Sequence, residues 1–198
     1  MNEDVGAATP PGIHRFPSPV LGMALFIASE VMFFGALFGS YYTLRAEATV
    51  WPPSGSPDLS VLTAAVLTAA LLSSSVTQHL ANEAVKRGDG STTIRWLTLT
   101  VALGLAFLAG EGFEWLTLLE EGFGIDSNVF GTLYFTMTGF HGLHLIGGLV
   151  ILLTALTAAL RAVEPYRKRG PMEAATYYWH FVDGIWLFLV TTLYILNA

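Results

Sequence analysis

The run from Val129 to Leu160, VFGTLYFTMTGFHGLHLIGGLVILLTALTAAL, contains no Asp, Glu, Lys or Arg. As a helix rising 1.5 Å per residue it would be about 48 Å long, more than the roughly 30 Å of a bilayer's hydrocarbon core. Four further apolar runs flank it, at 20–42, 59–80, 96–119 and 174–196. Each is near or above the length that crosses a membrane. Turn residues separate them: Trp51-Pro52-Pro53-Ser54-Gly55-Ser56-Pro57, Gly88-Asp89-Gly90, the stretch 122–128, and Arg169-Gly170-Pro171. The expectation is an all-α integral membrane bundle of five transmembrane helices, a single domain over 18–198. Residues 1–17 are polar and lack both the positive start and the early apolar run of a secretory signal, so they read as a short disordered cytoplasmic tail.

Composition agrees. The 198 residues are 53% hydrophobic and 12% charged, whereas soluble domains carry about 25% charged residues. Mean hydropathy is +0.57. This argues against a soluble enzyme, a disordered chain or a fibre. A net charge of −6 leaves no basic stripe to neutralise phosphates, so nucleic acid is not an expected partner. Cysteine is absent, which excludes disulfides, thiolate-bound zinc or iron–sulfur clusters, and a cysteine nucleophile.

The basic residues predict orientation. Arg15, Lys86, Arg87, Arg95, Arg161, Arg167, Lys168 and Arg169 fall in segments on one side, and only Arg45 falls on the other. By the positive-inside rule the N-terminus is inside and the C-terminus outside. Tyr41, Tyr42, Trp51, Trp96 and the stretch 177–179 supply the expected interfacial aromatics. Gly35 with Gly39, and Ala24 with Ala28, form small-residue faces that a packed bundle would use for close helix approach.

Ionisable groups within a span cost roughly 2.5–3.5 kcal/mol each on insertion scales, so they mark contacts or function. Here they are Glu30, Glu111, Glu114, His141, His144, His180 and Asp183. Three pairs stand at i, i+3, which puts each pair on one helix face: Glu111 with Glu114, His141 with His144, His180 with Asp183. Depth limits who can meet. Glu30 sits about 15 Å from the inner end of its span, Asp183 about 13 Å in, His144 near mid-membrane and His141 a little further out. Depth therefore allows Glu30 to meet His144 and Glu111 to meet His141, and His180 to bond Asp183 or anchor a neighbouring helix. Two readings stand for the histidines, structural hydrogen bonding or metal and haem ligation. No Glu-x-x-His motif recurs as a di-iron bundle requires. For Glu30 the readings are a protonated carboxyl that fixes packing and a reactive, proton-linked one. Glu120, Glu121 and Asp126 read as a solvated surface, and His79 as interfacial.

These polar islands carry recognisable local sequence. Ser29-Glu30-Val31-Met32-Phe33-Phe34 resembles the first-span signature of subunit III of haem-copper cytochrome c oxidase. Thr138-Gly139-Phe140-His141-Gly142-Leu143-His144 is similar to that family's TGFHGxH motif, and Tyr178-Trp179-His180-Phe181-Val182-Asp183, followed by Trp186, to its YWHFVD motif. Trp51-Pro52-Pro53 and the stretch 111–115 also fit. The motifs fall in the family order and the likeness covers nearly all of 19–198.

The resemblance implies a subunit without its own haem, copper or other redox centre. Such a subunit docks on the haem-copper subunit I beside subunit II, binds phospholipid, and supports stability, proton uptake, oxygen access and sustained turnover. The enzyme would be cytochrome c oxidase, proton-pumping, in a bacterial cytoplasmic membrane; this chain would be a part of it with no catalytic residue. It also implies that Glu30 is the family's carbodiimide-reactive glutamate. Longer members have seven spans and this chain matches the last five. A small subunit IV or lipid would cover the side that the other two occupy. Five-span forms also occur in quinol oxidases and beside nitric oxide reductase, while the full TGFHGLH and YWHFVD strings resemble the cytochrome c branch. Outside this family, the competing readings are an independent proton-linked transporter and a metal-binding membrane enzyme.

Overall fold

The computed structural model describes residues 18–161 and 169–197. The expected tail at 1–17, with Arg15, lies outside the described residues, as do Arg167 and Lys168 of the basic run. Five long helices follow in order: α1 Ser18–Glu47, α2 Val61–Lys86, α3 Gly90–Glu120, α4 Val129–Leu160 and α5 Arg169–Leu189. The last continues through a π-helical turn, Val190–Tyr194, and a 3₁₀ turn, Ile195–Asn197. All five are long and apolar enough to cross a membrane, α5 together with its two turns. Among the described residues there is no strand.

The apolar runs fix where helices exist, and capping chemistry fixes where they stop. Ser60 accepts the N–H of Thr63 at 3.2 Å, Asp89 that of Thr92 at 3.1 Å, and Asn128 that of Gly131 at 2.9 Å. Each satisfies a first-turn donor that has no partner within its helix. α2 ends with Gly88 at φ 72°. The N–H of Gly88 bonds Val85 O and that of Asp89 bonds Ala84 O, the glycine-terminated pattern that recovers orphan carbonyls. Asp89 therefore closes α2 with its backbone and opens α3 with its side chain. α3 ends the same way, on Gly122 at φ 80° and Phe123.

Four helices run beyond the hydropathy-based expectation, and at the α2–α3 junction the Gly88 and Asp89 caps mark the new ends. α1 starts at Ser18 and runs to Glu47, α2 reaches Lys86, and α3 starts at Gly90. The turn expected at Arg169-Gly170-Pro171 is instead the first turn of α5, where a proline costs no helical hydrogen bond.

α2 and α3 form a close antiparallel hairpin, and α5 lies against α1, α2 and α4. α5 supplies the centre of the core: Trp179 and Trp186 are fully buried. Both indole N–H groups are satisfied from α2, Trp179 by Ser74 and Trp186 by Thr68, each at 2.9 Å. Two glycines make room for Trp179. A Cβ on Gly104 would stand 2.8 Å from its Cη2, and one on Gly148 2.9 Å from its Cε3 and Cζ3. The small-residue faces expected on α1 do not serve this purpose. Gly35 and Gly39 have no neighbour near a Cβ position, and Ala24 and Ala28 are exposed. The two glycines that seat Trp179 face its ring, not another helix backbone.

Candidate functional site

Among the described residues, α1 and α4 meet at a single polar contact. His144 Nε2 lies 2.9 Å from Glu30 Oε2. The other ring nitrogen, Nδ1, lies 2.7 Å from the carbonyl oxygen of Phe140, one turn earlier on α4. A carbonyl only accepts, so Nδ1 carries a hydrogen. A neutral imidazole then has a bare Nε2, and the contact to Glu30 holds one shared proton. It sits either on the carboxyl, donating to Nε2, or on Nε2, donating to a carboxylate. The tautomer is set by the Phe140 carbonyl and not by the glutamate.

Helical spacing explains the aromatic company. Phe33 and Phe34 stand at i+3 and i+4 from Glu30, hence on the same face. Phe34 meets the His144 ring edge-on at a centroid separation of 5.1 Å, and Phe33 meets Phe140 at 4.9 Å. Tyr178 of α5 donates to the carbonyl of His144 at 2.8 Å. The three recognised strings thus converge: the carboxyl from α1, the imidazole from α4, and the tyrosine from α5. The expected meeting of Glu30 with His144 is present.

The expected meeting of Glu111 with His141 is not. His141 is fully buried, stacked on Trp186 at 5.3 Å and edge-on to Phe107 at 5.9 Å. Neither of its ring nitrogens has a hydrogen-bond partner among the described residues, and neither carboxyl oxygen of Glu111 has one. Glu111 instead reaches past Gly142, where a Cβ would stand 3.6 Å from Oε2. Depth sets height along the membrane normal; it does not set direction around a helix axis. Here the histidine is turned to the aromatic cluster of α3 and α5.

Glu114 is buried and accepts from Tyr194 at 2.9 Å; the Tyr194 hydroxyl also lies 3.1 Å from that of Tyr134. Tyr194 closes the π-helical turn. His180 Nδ1 is 3.9 Å from Asp183 Oδ2, too far for a hydrogen bond. His180 is bonded instead to the hydroxyl of Ser75 on α2, so of the two expected roles it takes that of anchoring a neighbouring helix. Both Asp183 oxygens are buried without a hydrogen-bond partner. Glu120, Glu121, Asp126 and His79 are exposed. Among the described residues, no three His, Asp or Glu side chains converge as a set that could hold a metal ion.

Ser75 and Tyr194 were not among the sequence candidates. Ser75 has a visible signal, three consecutive serines, Ser73-Ser74-Ser75, inside an apolar span; two of them bond α5. Tyr194 has none; it lies in the π-helical turn.

The family model for cytochrome c oxidase subunit III matches residues 12–198. The chain is 39% identical over 186 residues to cytochrome c oxidase subunit 3 of Thermostichus vulcanus, covering 93% of this chain and 90% of that one. It is 36% identical to cytochrome c oxidase subunit 3 of Corynebacterium diphtheriae, covering 99% and 97%. It is 34% identical to the probable cytochrome c oxidase subunit 3 of Mycobacterium leprae, covering 98% and 96%. With five membrane-crossing helices and homology over almost its whole length, the chain belongs to the cytochrome c oxidase subunit III family and is a multi-pass membrane subunit of a haem-copper oxidase complex.

Proposed function

We propose that the chain is the non-catalytic subunit III of a proton-pumping cytochrome c oxidase in a bacterial cytoplasmic membrane. It would lie with its N-terminus inside and its C-terminus outside, as one five-helix domain. Haem and copper belong to the partner subunits, and this chain contributes no redox centre. Its partners are the haem-copper subunit I, subunit II and a small subunit IV, with phospholipid on the remaining surface. Its role is to support the stability, proton uptake and sustained turnover of subunit I.

The observation that carries this reading is the Glu30–His144 contact. It unites residues from two motifs shared with the family, at mid-membrane depth. One proton can move between Glu30 Oε2 and His144 Nε2 without breaking the Nδ1 bond to Phe140. That gives a site which holds a proton but leaves the pair with no net charge in lipid. The buried Glu111, Glu114, His141 and Asp183, and the exposed His180, are the remaining polar groups that we assign to packing inside this subunit or against its neighbours.

Purification of the tagged chain from its native membrane tests the proposal. The expected result is co-purification with a haem-copper subunit, with all visible absorbance following that subunit. The oxidase stripped of this chain should start at a normal rate and lose activity faster during turnover. Absorbance that follows the isolated chain, or its recovery free of any oxidase subunit, would reject the reading. Oxidation of reduced cytochrome c, not of quinol, separates the cytochrome c branch from the quinol oxidases.

A further inference from the structure

One ionisable side chain lies at membrane depth on the outside of the bundle. His180 is 39% exposed. It stands eleven residues from the first residue of α5, or about 16 Å along the helix. If the hydrocarbon core is centred on α5 and its terminal turns, His180 lies about 10 Å inside that core. The hydroxyl of Ser75 occupies Nδ1, and Nε2 has no partner among the described residues. An imidazole N–H or lone pair left facing hydrocarbon is costly, and groups of this kind face a bundle interior or a partner.

The surroundings fit a partner helix. On α2, Leu72, Val76 and His79 are exposed on the face that holds Ser75; on α5, Tyr177 and Leu187 flank His180 in the same way. Gly184 stands one turn beyond His180, and a Cβ there would meet nothing within 4 Å. Nothing among the described residues requires that glycine, whereas a small residue beside a polar one is what a closely packed neighbouring helix uses. Lipid does not answer the need. Acyl tails offer no hydrogen-bonding group, and headgroups stay at the interface, about 10 Å away.

We infer that the α2–α5 face around Ser75, His180 and Gly184 is covered, in the assembled oxidase, by a transmembrane helix of another subunit that hydrogen-bonds His180 Nε2. This rests on the chain being an oxidase subunit and adds which face is covered and through which atom. The partner is identified by chemistry: a membrane-spanning helix with a polar side chain at this depth.

Photoreactive benzoylphenylalanine placed at Val76 or at Leu187, in the intact complex within native membranes, tests it. The expected product is an adduct to another oxidase subunit at both positions. Adducts to lipid alone, in a complex that otherwise purifies intact, would overturn the inference and leave the oxidase reading standing. Failure of the unirradiated complex to co-purify would instead reject the oxidase reading. His180→Leu and His180→Gln give a second measure. Leu should lower recovery of the partner subunits about threefold, the loss of one average interhelical hydrogen bond in lipid. Gln, which can still bond across the interface, should restore most of it. Undiminished recovery for both variants would likewise overturn the proposal.

Discussion

Replacing Glu30 and His144 separately and together tests whether the two side chains act as one unit. Glu30→Leu strands His144 Nε2 against carbon, and His144→Leu strands Glu30 Oε2. A polar group left without its partner costs about 1–3 kcal/mol. Interhelical hydrogen bonds in membrane proteins average about 0.6 kcal/mol and reach about 1.7. Both side chains keep some exposure, 16% for His144 and 19% for Glu30, so each single change should cost about 1–2 kcal/mol at the lower end of the stranding range. The double Leu variant strands neither group, so its cost should fall about 1 kcal/mol short of the sum of the singles. Glu30→Gln keeps an N–H that can donate to the bare Nε2 and should cost less than about 1 kcal/mol. The assay is thermal unfolding of the purified chain in detergent, followed by near-ultraviolet circular dichroism. For a domain of this size 1 kcal/mol shifts Tm by about 2–4 °C. The singles should lower Tm by about 2–8 °C, and the double by clearly less than their sum. Additivity within about 0.3–0.5 kcal/mol would refute the contact.

Three further outcomes follow from other contacts. Gly148→Val pushes side-chain carbon into the ring of Trp179, where even a Cβ would stand 2.9 Å away; overpacking of this kind costs about 1–3 kcal/mol, read as a lower unfolding temperature, while Gly35→Val should be neutral. Tyr194→Phe removes the donor to Glu114 Oε2 and should cost about 1–3 kcal/mol in the same assay, with no loss if the carboxyl finds another donor. Asp89, at the turn between α2 and α3, is held below the usual carboxylate range, first by Thr92 and then by Ser91. A lowered folded value means that the carboxylate's stabilising contribution is present above the ordinary carboxylate range and is lost as pH falls through the folded value. Asp89→Asn should keep the cap and flatten this acid limb of the stability profile; an unchanged limb would show that Asp89 does not contribute to it.

The five helices were legible because hydrophobic run length is the physical requirement for crossing lipid, and α4 was read to its terminal residues. The other ends were not, for a definite reason. Hydropathy reports the hydrocarbon zone, whereas Ser60 starts α2, and Gly88 with Asp89 ends α2 and starts α3, by capping, wherever they fall. At the site, the rise of 1.5 Å per residue placed Glu30 and His144 at one height and they do meet. The same arithmetic allowed Glu111 to meet His141, and they do not. What it lacks is rotation about the axis, which packing decides. The Trp186 ring takes the face of His141, and a residue's candidates for burial cannot be ranked by depth alone. Tyr194 was illegible for a related reason: its hydroxyl meets Glu114 from within the π-helical turn that ends α5, and nothing in the local composition announces that change of pitch.

α1 shows how a helix can join a bundle with little packing. It is among the most apolar of the five, yet only Val20, Phe34 and Tyr41 are buried. In water such a helix would be driven inward by its own surface; in lipid that force is absent, since acyl chains are as apolar as its side chains. What attaches it must then be specific contact. At mid-height this is Glu30 with His144. At its C-terminal end Tyr41 donates to Thr192 O at 3.1 Å, Tyr42 meets the Thr192 hydroxyl at 3.1 Å, and Arg45 donates to Leu196 O at 3.0 Å. Trp51, just beyond, donates to Tyr41 at 3.1 Å. Before Glu30, α1 has no such contact to another helix among the described residues and rests on apolar ones such as Phe26 with Tyr178, 6.1 Å between ring centroids. Polar stitches therefore replace burial, and they do so at the two levels where a carboxyl or hydroxyl has a partner. The few polar groups that a membrane helix can carry are thus spent on attachment. A substitution at Glu30 should disturb the seating of α1 before it disturbs any other helix.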